Sequence, residues 1–175
     1  MSDRISNNGV FIHEYHQVIN TKLTNWLSRL TQKDHSDKPS TLYEMVGGEE
    51  AVRVLCNRFY DIMESDPKVA ALRAIHVEDL AVTRQKFFEF MSGWLGGPAL
   101  FTEKYGHPRL RARHLHVPVD DKMIEQWLYC MQQALKQCPA DEAVKQAVWQ
   151  NLVPLARHMK NQEDGSSANQ SLGLR

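Results

Sequence analysis

The stretch Gly106-His107-Pro108-Arg109-Leu110-Arg111-Ala112-Arg113-His114-Leu115-His116-Val117-Pro118 concentrates more chemistry than any other part of the chain. A neutral imidazole is the commonest side-chain metal ligand, and guanidinium groups are suited to holding anionic oxygens. Pro118 blocks any helix that starts near Arg109, so the segment reads as a short helix over about 109–115 that presents His114. His116 follows two residues later and would turn about 200° away on such a helix, so these two imidazoles cannot face one point. His107 precedes Pro108 in the loop before the helix.

Working outward, Gly96-Gly97-Pro98 stops the preceding helix, and residues 98–108 read as a loop. Before that break lies the cleanest periodicity in the chain: Leu80, Thr83, Phe87, Phe90 and Trp94 fall on one helical face. Further upstream, Val52, Leu55, Phe59 and Ile62 predict a helix over 49–64 that Asp66-Pro67 ends. A short helical turn is expected at 68–74, before the His76-Val77-Glu78-Asp79 corner. Thr41 and Glu44 form a capping box for a short helix stopped by Gly47-Gly48. Downstream, Asp120 can cap a helix to about Gln137 through Ile124, Trp127, Met131 and Leu135. Asp141 starts a last helix with Val144, Val148, Leu155 and Met159 inward, and Pro154 should kink it.

At the ends, Tyr15, Val18, Ile19, Leu23, Trp26, Leu27 and Leu30 make an apolar stripe, which predicts an extra helix over about 13–30. A turn-rich linker, Asp34-His35-Ser36-Asp37-Lys38-Pro39-Ser40, follows it, so residues 1–40 read as an N-terminal extension. Residues 161–175, rich in Ser, Asn and Gly, are expected to be a disordered tail. No strand pair or internal repeat competes with an all-α reading.

Composition narrows the function. The 175 residues suffice for one domain with a core, and the 21 basic and 21 acidic residues balance. That balance, without a dense basic stripe, argues against nucleic acid and anionic membranes as partners. No apolar run approaches the ~18 residues of a membrane span, and the first residues lack the apolar core of a secretory signal. Cys56, Cys130 and Cys138 are odd in number and lack zinc spacing; they read as small buried hydrophobes in a reducing cytoplasm.

Taken in order, Gly96-Gly97-Pro98, Gly106-His107-Pro108-Arg109-Leu110, Arg111-Ala112-Arg113-His114 and Gln126-Trp127-Leu128 resemble a group II truncated haemoglobin. The similarity starts near Thr41-Leu42-Tyr43-Glu44 and ends near His158-Met159, which makes 41–160 the domain. It implies a truncated globin fold, a two-over-two helical sandwich around a b-type haem, with the 13–30 helix as an addition. The chain has no Cys-x-x-Cys-His motif, so the haem would not be attached by thioethers.

The resemblance makes His114 the proximal iron ligand, and its second ring nitrogen should donate to a backbone carbonyl one turn earlier. On the distal side it places Tyr60 and Trp127 as hydrogen-bond donors to a bound ligand. It puts His76 where the family often has an aromatic residue or histidine: a donor, an acid/base group, a sixth iron ligand or a solvated corner residue. Thr83 stands where other globins have a distal histidine and leaves an open path, while Phe87 bounds the ligand pocket. Lys86 and Arg113 match positions that meet propionates, and Phe90, Phe101 and Leu110 supply apolar contact to the porphyrin.

Three functions are compatible with such a site. The first is binding of dioxygen and other diatomics, nitric oxide and carbon monoxide among them. Two donors on one ligand would hold oxygen too long for efficient oxygen transport. The second is redox catalysis, as a nitric oxide dioxygenase or a peroxidase-like enzyme. It would need a separate electron-donating reductase, because nothing here resembles a flavin or nicotinamide domain. The third is gas or redox sensing through residues 13–30, which would also be the surface for an oligomer.

Overall fold

Thr41 opens the first helix through the capping box read from its sequence. Its Oγ1 accepts the Glu44 N–H at 3.2 Å, while the Glu44 carboxylate accepts the Thr41 N–H at 3.1 Å. This helix, α1 (Leu42–Val46), is the first element of a computed structural model that describes residues 40–163. The helix predicted at 13–30, nearly all of the linker after it, and the tail from residue 164 lie outside the described residues.

After α1 come α2 (Gly48–Ser65), a 3-10 turn (Pro67–Val69), α3 (Ala70–Ala74) and α4 (Ala81–Trp94). Then follow α5 (Leu100–Tyr105), α6 (Leu110–His114), α7 (Asp121–Lys136) and α8 (Glu142–His158). Among the described residues every regular element is helical. Asp66 ends α2 and caps the next turn, its carboxylate accepting the Lys68 N–H at 2.9 Å. Asp120 caps α7 in the same way through the Met123 N–H, also at 2.9 Å.

α2 packs mainly on α7 and α4, and α7 packs on α8, which gives two pairs of long helices in two layers. The core between them is formed by Val52, Leu55, Phe59 and Met63 of α2, Met91 of α4, Met131 and Leu135 of α7, and Val148 and Leu152 of α8. Each such side chain contributes roughly 1.5–3 kcal/mol by leaving water. No helix of the described residues is long and apolar enough to cross a membrane.

Along the clean stripe on α4, Thr83, Phe87, Phe90 and Trp94 are half-buried, while Phe88, Glu89, Met91 and Ser92 are buried. The long apolar row lines a less enclosed side of the helix instead. One expectation needs correction: residues 98–108 are not all loop, because α5 forms within them. Phe101 anchors α5 against Phe90 of α4, ring centroids 6.4 Å apart, and meets Tyr105 of its own helix at 4.9 Å. Pro154 lies inside α8, which runs on to His158.

The Gly96-Gly97-Pro98 break has a packing reason. A Cβ on Gly97 would fall 2.5 Å from the Tyr43 ring, so only glycine lets α1 lie against the end of α4. The Tyr43 N–H then donates to the Leu95 carbonyl at 2.9 Å, and Ser92 Oγ donates to the Pro98 carbonyl at 2.9 Å.

Candidate functional site

His114 stands at the last position of α6 and is half-buried. Its Nδ1 lies 2.7 Å from the Leu110 carbonyl one turn earlier. A carbonyl only accepts, so Nδ1 carries the proton and Nε2 keeps its lone pair for a ligand bond. Its two neighbours in sequence stay apart from it. His107 is exposed, with Nδ1 accepting the Arg109 N–H at 3.1 Å, and His116 is exposed.

A cluster of rings forms between α2, α4 and α7. Phe59 sits at its centre, with Tyr60, Phe87 and Trp127 at centroid distances of 5.0, 5.1 and 5.2 Å. Tyr60 also meets Phe87 edge-on at 5.8 Å and His76 at 6.3 Å, and Phe87 meets Trp127 at 6.2 Å. Helices α2, α4 and α7 and the 76–79 corner therefore converge here. Thr83 precedes Phe87 by one turn on α4 and so shares its face.

The electrostatics suit donors. Burial pushes the Tyr60 phenol well above its usual range; the Cys56 and Cys130 sulfurs add to this and Arg84 opposes it. The hydroxyl therefore stays protonated. Arg84 braces this region by donating to Asp61 at 2.8 Å and to the Asn57 carbonyl at 2.7 Å, which locks α4 to α2. Cys56 and Cys130 are fully buried, and all three cysteines are free thiols.

His76 is held from behind. Its Nδ1 donates to the Leu72 carbonyl at 2.8 Å, and the Leu72 N–H donates to Gln126 Oε1 at 2.8 Å. Gln126, next to Trp127, thus steadies the residue that steadies His76. Burial holds the His76 imidazole below its ordinary value; the Leu72 carbonyl pulls the other way, and Arg73 and His114 lower it further. A groove of about 610 Å³ opens beside it, lined in part by Met63, Asp66, Arg73 and Glu78. Of the ring cluster only His76 reaches that groove.

The remaining predicted residues make aromatic and apolar contacts of their own. Phe90 meets Phe101, and the Arg113 guanidinium lies 5.5 Å from the Phe101 ring centre. Lys86 is exposed, with Nζ 5.5 Å from the Tyr105 ring centre. Leu110 and Trp127 both pack on a second apolar cluster of Val119, Ile124, Ala156 and Met159, which joins α6 to α7 and α8. Sequence reasoning missed Phe59, Gln126, Arg84 and Asn161. Phe59 looks like ordinary core on its own helix, and Gln126 stood in the quoted motif without a role.

A half-buried imidazole with Nδ1 bound to a carbonyl, a cluster of aromatic rings and nearby cations are the kinds of group a globin haem pocket uses. Residues 41–161 match the family model for bacterial-like globins, and the chain belongs to that family, in its group II truncated branch. The group 2 truncated hemoglobin YjbI of Bacillus subtilis (strain 168) is 39% identical over 128 residues, 71% of this chain and 94% of that protein. Among solved structures, a cold-adapted truncated hemoglobin from the Antarctic marine bacterium Pseudoalteromonas haloplanktis TAC125 is 44% identical, with a TM-score of 0.69. The alignment covers 70% of this chain and 99% of that one. The group II 2-on-2 hemoglobin of the plant pathogen Agrobacterium tumefaciens is 39% identical with a TM-score of 0.71, over 74% and 100% of the two chains. Membership carries haem binding, and with it dioxygen binding, as general properties of the family.

Proposed function

We propose that this chain binds a b-type haem, with His114 Nε2 as the proximal iron ligand, and uses it to hold dioxygen and related diatomics reversibly. The hydrogen bond from His114 Nδ1 to the Leu110 carbonyl at 2.7 Å carries this reading, because it fixes the tautomer and the ring direction an iron ligand needs. Among the described residues no three His, Cys, Asp or Glu side chains gather around one metal ion, so an iron at His114 would take its remaining ligands from a macrocycle. When bound, the haem supplies a ferrous iron with an open position for a diatomic ligand.

The protein does the rest. Phe90, Phe101 and Leu110 offer apolar surface to the porphyrin, and Lys86 and Arg113 can swing to its two propionates. Tyr60 keeps its proton at any physiological pH and donates it towards the ligand position. Trp127 offers an indole N–H as second donor. Thr83 is too small to block access, and Phe87 limits the space beside it. His76, uncharged at neutral pH, is the group here able to take up or release a proton.

Absorption spectra of the purified protein in ferric, ferrous and carbon-monoxide-bound forms test the proposal. A Soret band is expected in all three, and His114→Ala should lose stable haem retention or the proximal nitrogen signature. A His114→Ala protein with the parent spectrum would refute the ligand assignment.

A further inference from the structure

The helix that carries His114 is five residues long and buries none of them. A helix of that length has no stability of its own. It also starts badly: Arg109 occupies the left-handed region with φ 44°, the only non-glycine residue among those described to do so. Something outside α6 must therefore set its position.

That support comes from the chain just after α8. Asn161 Nδ2 donates to the His114 carbonyl at 2.8 Å and to the Val117 carbonyl at 3.0 Å. Its Oδ1 accepts the Val119 N–H at 2.9 Å, and its own N–H donates to the Val119 carbonyl at 2.9 Å. The partners dictate which way the amide faces, since two carbonyls need donors and one N–H needs an acceptor. From the other direction, Arg111 reaches out of α6 and donates to the carbonyls of His158 and Lys160 at 2.7 and 2.9 Å. Composition assigns residue 161 to a disordered tail; these bonds make it part of the folded domain.

We infer that Asn161, assisted by Arg111, is a positioning residue for the His114 imidazole. The amide clamps the carbonyl of the ligand residue itself, while Arg111 anchors the preceding turn to the end of α8. The Leu110 carbonyl, which orients the ring, is thereby held in a fixed frame. Asn161 acts through backbone atoms and touches no cofactor. The inference rests on the assignment of His114 as iron ligand.

The test uses the full chain loaded with haem, in the variants Asn161→Ala, Asn161→Asp and Arg111→Gln. Gly97→Ala serves as a control, destabilising the fold away from α6. Losing two carbonyl bonds should speed amide hydrogen exchange across residues 110–119, and haem transfer to an acceptor apoprotein, by about tenfold. The iron–imidazole stretching band of the ferrous form should shift or broaden. Asn161→Asp should be at least as severe as Asn161→Ala, because it turns an oxygen towards two carbonyls. Gly97→Ala should leave the band unmoved. Should the Asn161 variants fail to fold, Arg111→Gln carries the test with the same readouts. Unchanged exchange and an unchanged band in the folded variants overturn the inference. A normal spectrum in His114→Ala would instead overturn the ligand assignment beneath it.

Discussion

Tyr60 and Trp127 come from different helices, yet Phe59 holds both rings within about one ring's width of its own. If both donors face the ligand, replacing either by phenylalanine removes one charge-assisted hydrogen bond of roughly 1.5–3 kcal/mol. Dioxygen release from the haem-loaded protein should then accelerate by about tenfold to a hundredfold per substitution, read by stopped-flow displacement. Unchanged rates in both variants would remove these residues from the ligand's surroundings. At this scale the sequence was legible in one contact, the bond from His114 Nδ1 to a backbone carbonyl one turn earlier. It was silent on Asn161, whose partners lie 42 to 47 positions away in the chain and leave no local signature.

Helices were legible where apolar residues recur with one period, but the face they point to was not. The row Thr83–Phe87–Phe90–Trp94 has the spacing of a core stripe, yet it is half-buried, and Phe88 and Met91 are the buried side chains of α4. A porphyrin and a protein core are both apolar, so periodicity cannot tell which one a stripe will meet. Helix α5 escaped for a different reason. Six residues between Pro98 and Gly106 are too few to show a period, and it is tertiary contact through Phe101 that makes them helical. The glycine break, by contrast, was readable and now has a mechanism that can be measured. Gly97→Ala places a methyl against the Tyr43 ring and should cost about 1–3 kcal/mol, visible as a lower urea midpoint with an unchanged slope.

For the whole molecule, the all-α reading followed from helix periodicity and the two-over-two arrangement from the family resemblance. A buried charge did not. Glu89 is 1% exposed, with Lys104 and Gln85 on one carboxylate oxygen and no partner for the other. Burial pushes this carboxyl up, but the bonds from Gln85 and Lys104 outweigh it and hold the group below the usual glutamate value. The folded state thus binds this proton less readily than the unfolded chain. Its stabilisation is present above about pH 4.3, the unfolded value, and is lost as pH falls through the lower folded value. The melting temperature of the parent should exceed that of Glu89→Gln at neutral pH, and the gap should close on acidification. A gap that stays constant down to pH 3 would contradict the assignment.

The enclosed thiols have a chemical consequence. Burial pushes the Cys56 sulfur well above its ordinary value and that of Cys130 to about 12, so neither forms a thiolate at physiological pH. Oxidants react with thiolate far faster than with thiol. Peroxide or nitrogen oxides produced near a haem would therefore find neither of these two sulfurs as a thiolate. Sulfenic acid formation at Cys56 and Cys130 would have to wait until the helices part.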